Sequence, residues 1–174
     1  TKTYEGFTYT ENGSEITITG YTGDKTELVI PGEIDGKKVT DIGTHAFYKY
    51  SSLTSVIIPE GVTNIGDCAF LGCSGLTSVT IPASVTKIGK GAFRKCSALK
   101  TVTISKSIKE IGKDAFRDCK SLKKITFKGT KVQKIGKNAF KNIHKKAVIK
   151  VPASKKKKYQ TLIKKSGCKI KVKK

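Results

Sequence analysis

Apolar residues in this chain recur at long fixed offsets. Aligned on the dipeptide Ala-Phe, the sequence gives Phe47, Phe70, Phe93, Phe116 and Phe140, separated by 23, 23, 23 and 24 residues. An Ile-Gly pair precedes each at one offset: Ile42-Gly43, Ile65-Gly66, Ile88-Gly89, Ile111-Gly112 and Ile135-Gly136. Leu53, Leu76, Leu99 and Leu122 follow six residues after the Phe. Val56, Val79, Val102 and Ile125 come next, then Ile58, Ile81, Ile104 and Phe127. A fixed period of about 20 to 29 residues with L-x-x-L-x-L spacing marks a leucine-rich repeat, each coil adding one short strand. One such coil cannot bury its own apolar side, so neighbours must stack. The spacing predicts strands over 54–58, 77–81, 100–104 and 123–127, with Val and Ile inward and their neighbours outward. A first strand is expected over 27–30. The five Phe residues should form a buried column, each contributing about 1.5 to 3 kcal/mol. The Gly of each Ile-Gly is read as a tight bend or a close approach between coils, and Gly-x-x-Ala-Phe as the start of a short helical turn on the convex side.

The fullest copy, residues 62–82, reads VTNIGDCAFLGCSGLTSVTIP. Its pattern, V-T-x-I-G-x-x-A-F-x-x-C-x-x-L-x-x-V-x-I-P, resembles the BspA-like, or Treponema-type, leucine-rich repeats of bacterial surface proteins, over residues 26–152. The resemblance implies a curved β-rich solenoid of the α/β horseshoe type, with about six short parallel strands on its concave face. It implies secretion or display at the cell surface of a bacterium, and attachment to host extracellular proteins or bacterial-surface partners. It carries over no catalytic residue, cofactor or metal.

The ends break the pattern. Residues 7–9 and 16–18 alternate apolar and polar around an Asn12-Gly13 turn, a hairpin suited to cap the stack over residues 1–25. Ile34-Asp35-Gly36-Lys37 looks like a small hairpin inserted in the first coil. After Phe140 the repeat decays. Ser154 is placed to cap a helix over 155–165 that carries Tyr159, Leu162 and Ile163 on one face and stops at Gly167. Residues 169–174 alternate like an edge strand with its lysines outward. Three regions result: a hairpin cap (1–25), the repeats (26–152), and a helix and edge-strand cap (153–174).

Composition changes the picture in two ways. The net charge is +22, unevenly spread: residues 1–87 hold 6 lysines and 10 acids, net −4, whereas residues 88–174 hold 27 lysines, 2 arginines and 3 acids, net +26. Such asymmetry points to a polyanionic partner at one end. Of the five cysteines, Cys73, Cys96 and Cys119 each follow a Phe by three residues. They read as a column of small buried side chains, since stacked equivalents point in parallel and so disfavour disulfides. No zinc-type spacing is present. The chain starts at Thr1 and contains no Met, as expected of a mature or trimmed product whose targeting segment has been removed. No apolar run is long enough to cross a membrane.

Chemistry is sparse. His45 and His144 lie far apart in the repeat order, and His45 shares a variable position with Cys68, Gly91, Asp114 and Asn138. No catalytic constellation can be assembled. The outward strand positions form columns instead: Thr54, Thr77, Lys100, Lys123; Ser55, Ser78, Thr101, Lys124; and Ile57, Thr80, Thr103, Thr126, Lys150. The concave sheet should therefore pass from hydroxyl-lined to lysine-lined, and its polar members are the candidate binding residues. Lys155, Lys156, Lys157 and Lys158 are candidates for a polyanion. The expected function is a monomeric, non-enzymatic protein-binding module. The alternatives are non-specific binding of an anionic cell-wall polymer or sulfated glycan, or a purely structural spacer. Nucleic acid fits less well, because only Arg94 and Arg117 could make bidentate base contacts.

Overall fold

The computed structural model describes residues 1–174. Three strands open the chain: β1 (Lys2–Tyr4), β2 (Phe7–Asn12) and β3 (Glu15–Tyr21), paired antiparallel in order. The β1–β2 turn, not read from the sequence, is Glu5-Gly6 with φ of 47° and 84°, the two positive values a type I′ turn needs. The β2–β3 turn sits one residue later than expected. Asn12 pairs with Glu15, so Gly13-Ser14 is the loop, and a positive φ at Gly13 alone fits a type II′ turn.

β4 (Glu27–Val29) begins the stack, and β5 (Glu33–Ile34) and β6 (Lys37–Ile42) form the inserted hairpin through Asp35-Gly36. Ile34 is buried, so this hairpin folds onto the core rather than away from it. Then come β7 (Ser55–Ile57), β8 (Asn64–Ile65), β9 (Ser78–Thr80), β10 (Lys87–Ile88), β11 (Thr101–Ile104), β12 (Glu110–Ile111), β13 (Lys124–Phe127), β14 (Lys134–Ile135) and β15 (Val148–Lys150). The odd-numbered strands of this run stack with β4 into a parallel sheet of seven, completed by β16 (Lys171–Lys173). The even-numbered ones stack behind β6, which pairs in parallel with β3, into a sheet of nine. This second sheet was not foreseen, because strands of two residues are too short to show an alternation.

Between the sheets each coil runs through a third wall that holds Ala-Phe. Here the expected helical turn gives way to successive β-turns: Ala69 N–H donates to Gly66 C=O, Leu71 to Cys68, and Cys73 to Phe70. The residue two before each Phe is left-handed: His45 (59°), Cys68 (56°), Gly91 (58°), Asp114 (57°) and Asn138 (59°). So is the residue two after it: Lys49, Gly72, Lys95, Asp118 and Asn142. That alternation turns every second amide along the solenoid axis. Cys68, Phe70 and Gly72 donate to Lys90, Ala92 and Arg94 of the next coil, and Gly91, Phe93 and Lys95 donate to Lys113, Ala115 and Arg117. Three continuous columns of peptide hydrogen bonds result, all pointing N–H toward the C-terminal end.

The core is one contiguous cluster. The Phe rings stack nearly parallel, at centroid distances of 4.9, 5.1, 5.2 and 5.5 Å. Glycine at Ile-Gly is required by close coil packing: a Cβ on Gly66, Gly89, Gly112 or Gly136 would lie 2.3 to 2.7 Å from backbone of the preceding coil. Cys73, Cys96 and Cys119 are buried free thiols that donate to Phe47, Phe70 and Phe93 carbonyls at 3.0 to 3.2 Å. Burial pushes Cys73 and Cys119 up to about 12 and Cys96 well above its ordinary value.

At the C-terminal end a 3-10 turn, Ala153–Lys155, leads into α1 (Lys156–Lys165). Ser154 does not cap this helix, because it lies inside the 3-10 turn, and Lys155 holds the cap position with no side-chain bond. Tyr159 and Ile163 are buried, and Tyr159 Oη donates to Gly129 C=O at 2.6 Å. Ser166 then takes the place of a further coil by accepting the Asn138 amide at 2.8 Å.

Candidate docking face

Register in the seven-stranded sheet determines which side chains share a row. Glu27, Ser55, Ser78, Thr101, Lys124, Val148 and Lys171 pair in succession, as do Val29, Ile57, Thr80, Thr103, Thr126, Lys150 and Lys173. The inward positions Val56, Val79, Val102, Ile125 and Ile149 are buried, and the rows beside them open to solvent. All twelve sequence-derived candidates on this sheet are exposed or half-buried.

Their hydroxyls are not equivalent. Thr54 Oγ1 donates to Thr26 C=O at 3.0 Å and Thr77 Oγ1 to Thr54 C=O at 3.1 Å, so these two brace one coil against the previous one. Ser55, Ser78, Thr80, Thr101, Thr103 and Thr126 have no such partner in the chain and are the hydroxyls free to meet a ligand. Thr101, Thr103, Lys124, Thr126 and Lys150 come together with Lys128 around a shallow depression of about 390 Å³. Lys128 was missed from the sequence, although it stands just past its strand where other coils have Pro59 and Pro82. Ser55, Ser78 and Thr80 lie on earlier coils, and Lys100 and Lys123 flank the strand starts; none of them borders the depression. At the other end of the second row, Val29 and Ile57 are neighbours in register and expose 67% and 59% of their surface, so that row is apolar, then hydroxylic, then cationic.

Lys155, Lys157 and Lys158 are exposed and Lys156 half-buried, around the start of α1. The two arginines lie on the Ala-Phe wall. Arg117 Nη1 meets Asp114 at 3.4 Å, and Arg94 and Arg117 both approach Asp118, at 3.9 and 3.6 Å. Both arginines are thus paired with carboxylates on their own wall, although Arg94 Nε and Arg117 Nε have no hydrogen-bond partner. His45 and His144 remain apart: the first stacks edge-on against Tyr48, and the second accepts the Lys146 amide at Nδ1. No three His, Cys, Asp or Glu side chains gather as a metal site, and no helix is long and apolar enough to cross a membrane.

A stack of short-strand coils with its repeated apolar set inside and ordered rows of side chains outside is a leucine-rich repeat scaffold. More narrowly, the chain belongs to the BspA-type leucine-rich repeat family, whose model matches six copies over residues 37–169. Among solved structures it resembles the T. pallidum leucine-rich repeat protein at 32% identity and a TM-score of 0.80, over 88% of this chain and 72% of that one. A leucine-rich repeat protein from Bacteroides capillosus matches at 28% identity and a TM-score of 0.67, over 74% of this chain and 98% of that one. A leucine rich cell surface protein from Faecalibacterium prausnitzii matches at 28% and 0.61, over 86% of this chain and 54% of that one. No curated protein matches in sequence.

Proposed function

We propose that this chain is a protein-binding, adhesion-type module displayed at or secreted from a bacterial surface. Its docking face is the outward side of the seven-stranded sheet, the face the repeat pattern reads as concave, continued into the basic C-terminal half. The observation that carries this reading is the depression bordered by Thr101, Thr103, Thr126, Lys124, Lys128 and Lys150. Free hydroxyls and three cations converge there on a face that also offers apolar Val29 and Ile57. Repeat solenoids bind through extended surfaces of this kind. The Faecalibacterium relative, whose name places it at the cell surface, supports display. Partners of this reading are a host extracellular protein or another bacterial-surface protein.

The test is binding of the purified chain to fibronectin, fibrinogen, wall teichoic acid and heparin, titrated with salt from about 50 to 500 mM. The expected result is saturable binding to one protein that survives salt and weakens about tenfold or more in Lys124→Glu/Lys150→Glu. A second reading, general polyanion binding through Lys155, Lys156, Lys157 and Lys158, rests on the +26 of the C-terminal half. Equal binding to every polyanion, lost in salt, supports it. Binding to nothing supports a spacer.

A further inference from the structure

The axial peptide columns end at the last coil, and they end unequally. Asn138 passes its amide to Ser166, but the amides of Phe140 and Asn142, which continue the other two columns, have no acceptor in the chain. In every earlier coil the equivalent amides bond at 2.7 to 2.9 Å, as Phe93 does to Ala115 and Lys95 to Arg117. Two donors, two residues apart, therefore point out of the end of the wall. They stand at the positive end of aligned peptide dipoles, the situation that favours electron-rich acceptors at a helix N-terminus.

What lies in front of them is a cleft of about 560 Å³ between residues 140–148 and residues 167–171. Phe140, Ile143, Ala147, Val148, Cys168 and Ile170 supply its apolar part. Its charged lining is Lys141, Lys145, Lys146, Lys169 and Lys171, with no carboxylate among the residues that border it. Those lysines are exposed, and neither they nor His144 form an ion pair within the chain.

We propose that this end of the wall is a docking site for an acidic peptide segment, bound in extended form. The segment supplies two main-chain carbonyls, two residues apart, to the amides of Phe140 and Asn142, as each coil does for the one before it. Its carboxylates meet the cleft lysines and its apolar side chains meet Ile143, Val148 and Ile170. Pairing of this type is strand addition to an unfinished ladder, in which main-chain bonds give affinity and side-chain contacts give selectivity. The charge of the lining selects an acidic partner, and the spacing of the amides selects a peptide over a polymer without a regular main chain. The site is separate from the sheet face and does not rest on its proposed role.

The probe is a fluorescein-labelled peptide of alternating Glu and Val, followed by anisotropy and by amide hydrogen exchange of the whole chain. Saturable binding is expected, with exchange at Phe140 and Asn142 slowed about tenfold or more. Lys145→Glu/Lys169→Glu should weaken it about tenfold or more, and Lys124→Glu/Lys150→Glu by less than about twofold. Both variants alter only exposed lysines, and matching melting curves confirm that they fold. The proposal is overturned by no binding, by binding without protection of the two amides, or by equal loss in both variants. It is also overturned if a heparin oligosaccharide protects the same amides at lower concentration than the peptide, which makes the end an oxyanion site.

Discussion

His45, Cys68, Gly91, Asp114 and Asn138 look like a variable position, because their side chains share no chemistry. They share a backbone state, φ near +57°, which turns the next amides along the axis. Among non-glycine residues Asn, Asp and His tolerate that state best, and all three occur here. Cys68 is the misfit. Cys68→Asn should stabilise the protein by about 0.5 to 1 kcal/mol by relieving left-handed strain, read as a higher urea midpoint at unchanged slope; a lower midpoint refutes the assignment. The glycine of Ile-Gly is constrained by space instead. A Cβ on Gly112 would lie 2.5 Å from Gly89 backbone carbon, so Gly112→Ala should cost about 1 to 3 kcal/mol or more. The need for glycine was legible from its recurrence, but the choice between bend and contact depended on coil spacing, which no single coil reveals.

Among the elements, the Phe column was legible because identical residues at one period must superpose when coils stack. Phe93 is fully buried between two parallel rings, and Phe93→Ala should cost about 3 to 5 kcal/mol; a melt moved by less than about a degree would contradict that packing. The cysteine column has a pH signature. Its folded thiols hold their protons to about 12, whereas unfolded thiols ionise near 8.5. The unfolded state therefore binds fewer protons above that value, so stability is level below it and falls as pH rises toward 12. Urea midpoints at pH about 8 and 10.5 should show the fall, and it should shrink in Cys73→Ala/Cys119→Ala. Elements with little local pattern of their own were less legible. The nine-stranded sheet contributes pairs such as Asn64–Ile65, whose pairing comes entirely from the neighbouring coil, and Ser154 reads as a cap only until Pro152 starts a 3-10 turn ahead of α1.

At the scale of the whole molecule, two asymmetries run the same way. Lysines accumulate toward the C-terminal end, and the wall columns point their amides toward it as well. The first was countable in the sequence, but the second exists only once successive coils share a wall, which is why the end cleft was missed while the charge of that half was not. Stacked coils bring their equivalent lysines to about 4.8 Å in backbone spacing, as with Lys100 beside Lys123, and three acids in 87 residues cannot neutralise them. Repulsion at that distance lies well inside the screening length of about 10 Å at 0.1 M salt, so it should subtract from stability most at low ionic strength. Raising sodium chloride from about 10 to 300 mM should therefore raise the melting temperature by several degrees. Hydrogen exchange at low salt should show the coils around β13 and β15 opening before those around β7 and β9. If the melting temperature is unchanged by salt, or the N-terminal coils open first, the lysines are spaced widely enough to ignore one another. The crowding on which both the sheet face and the end cleft rely for an anionic partner would then be absent.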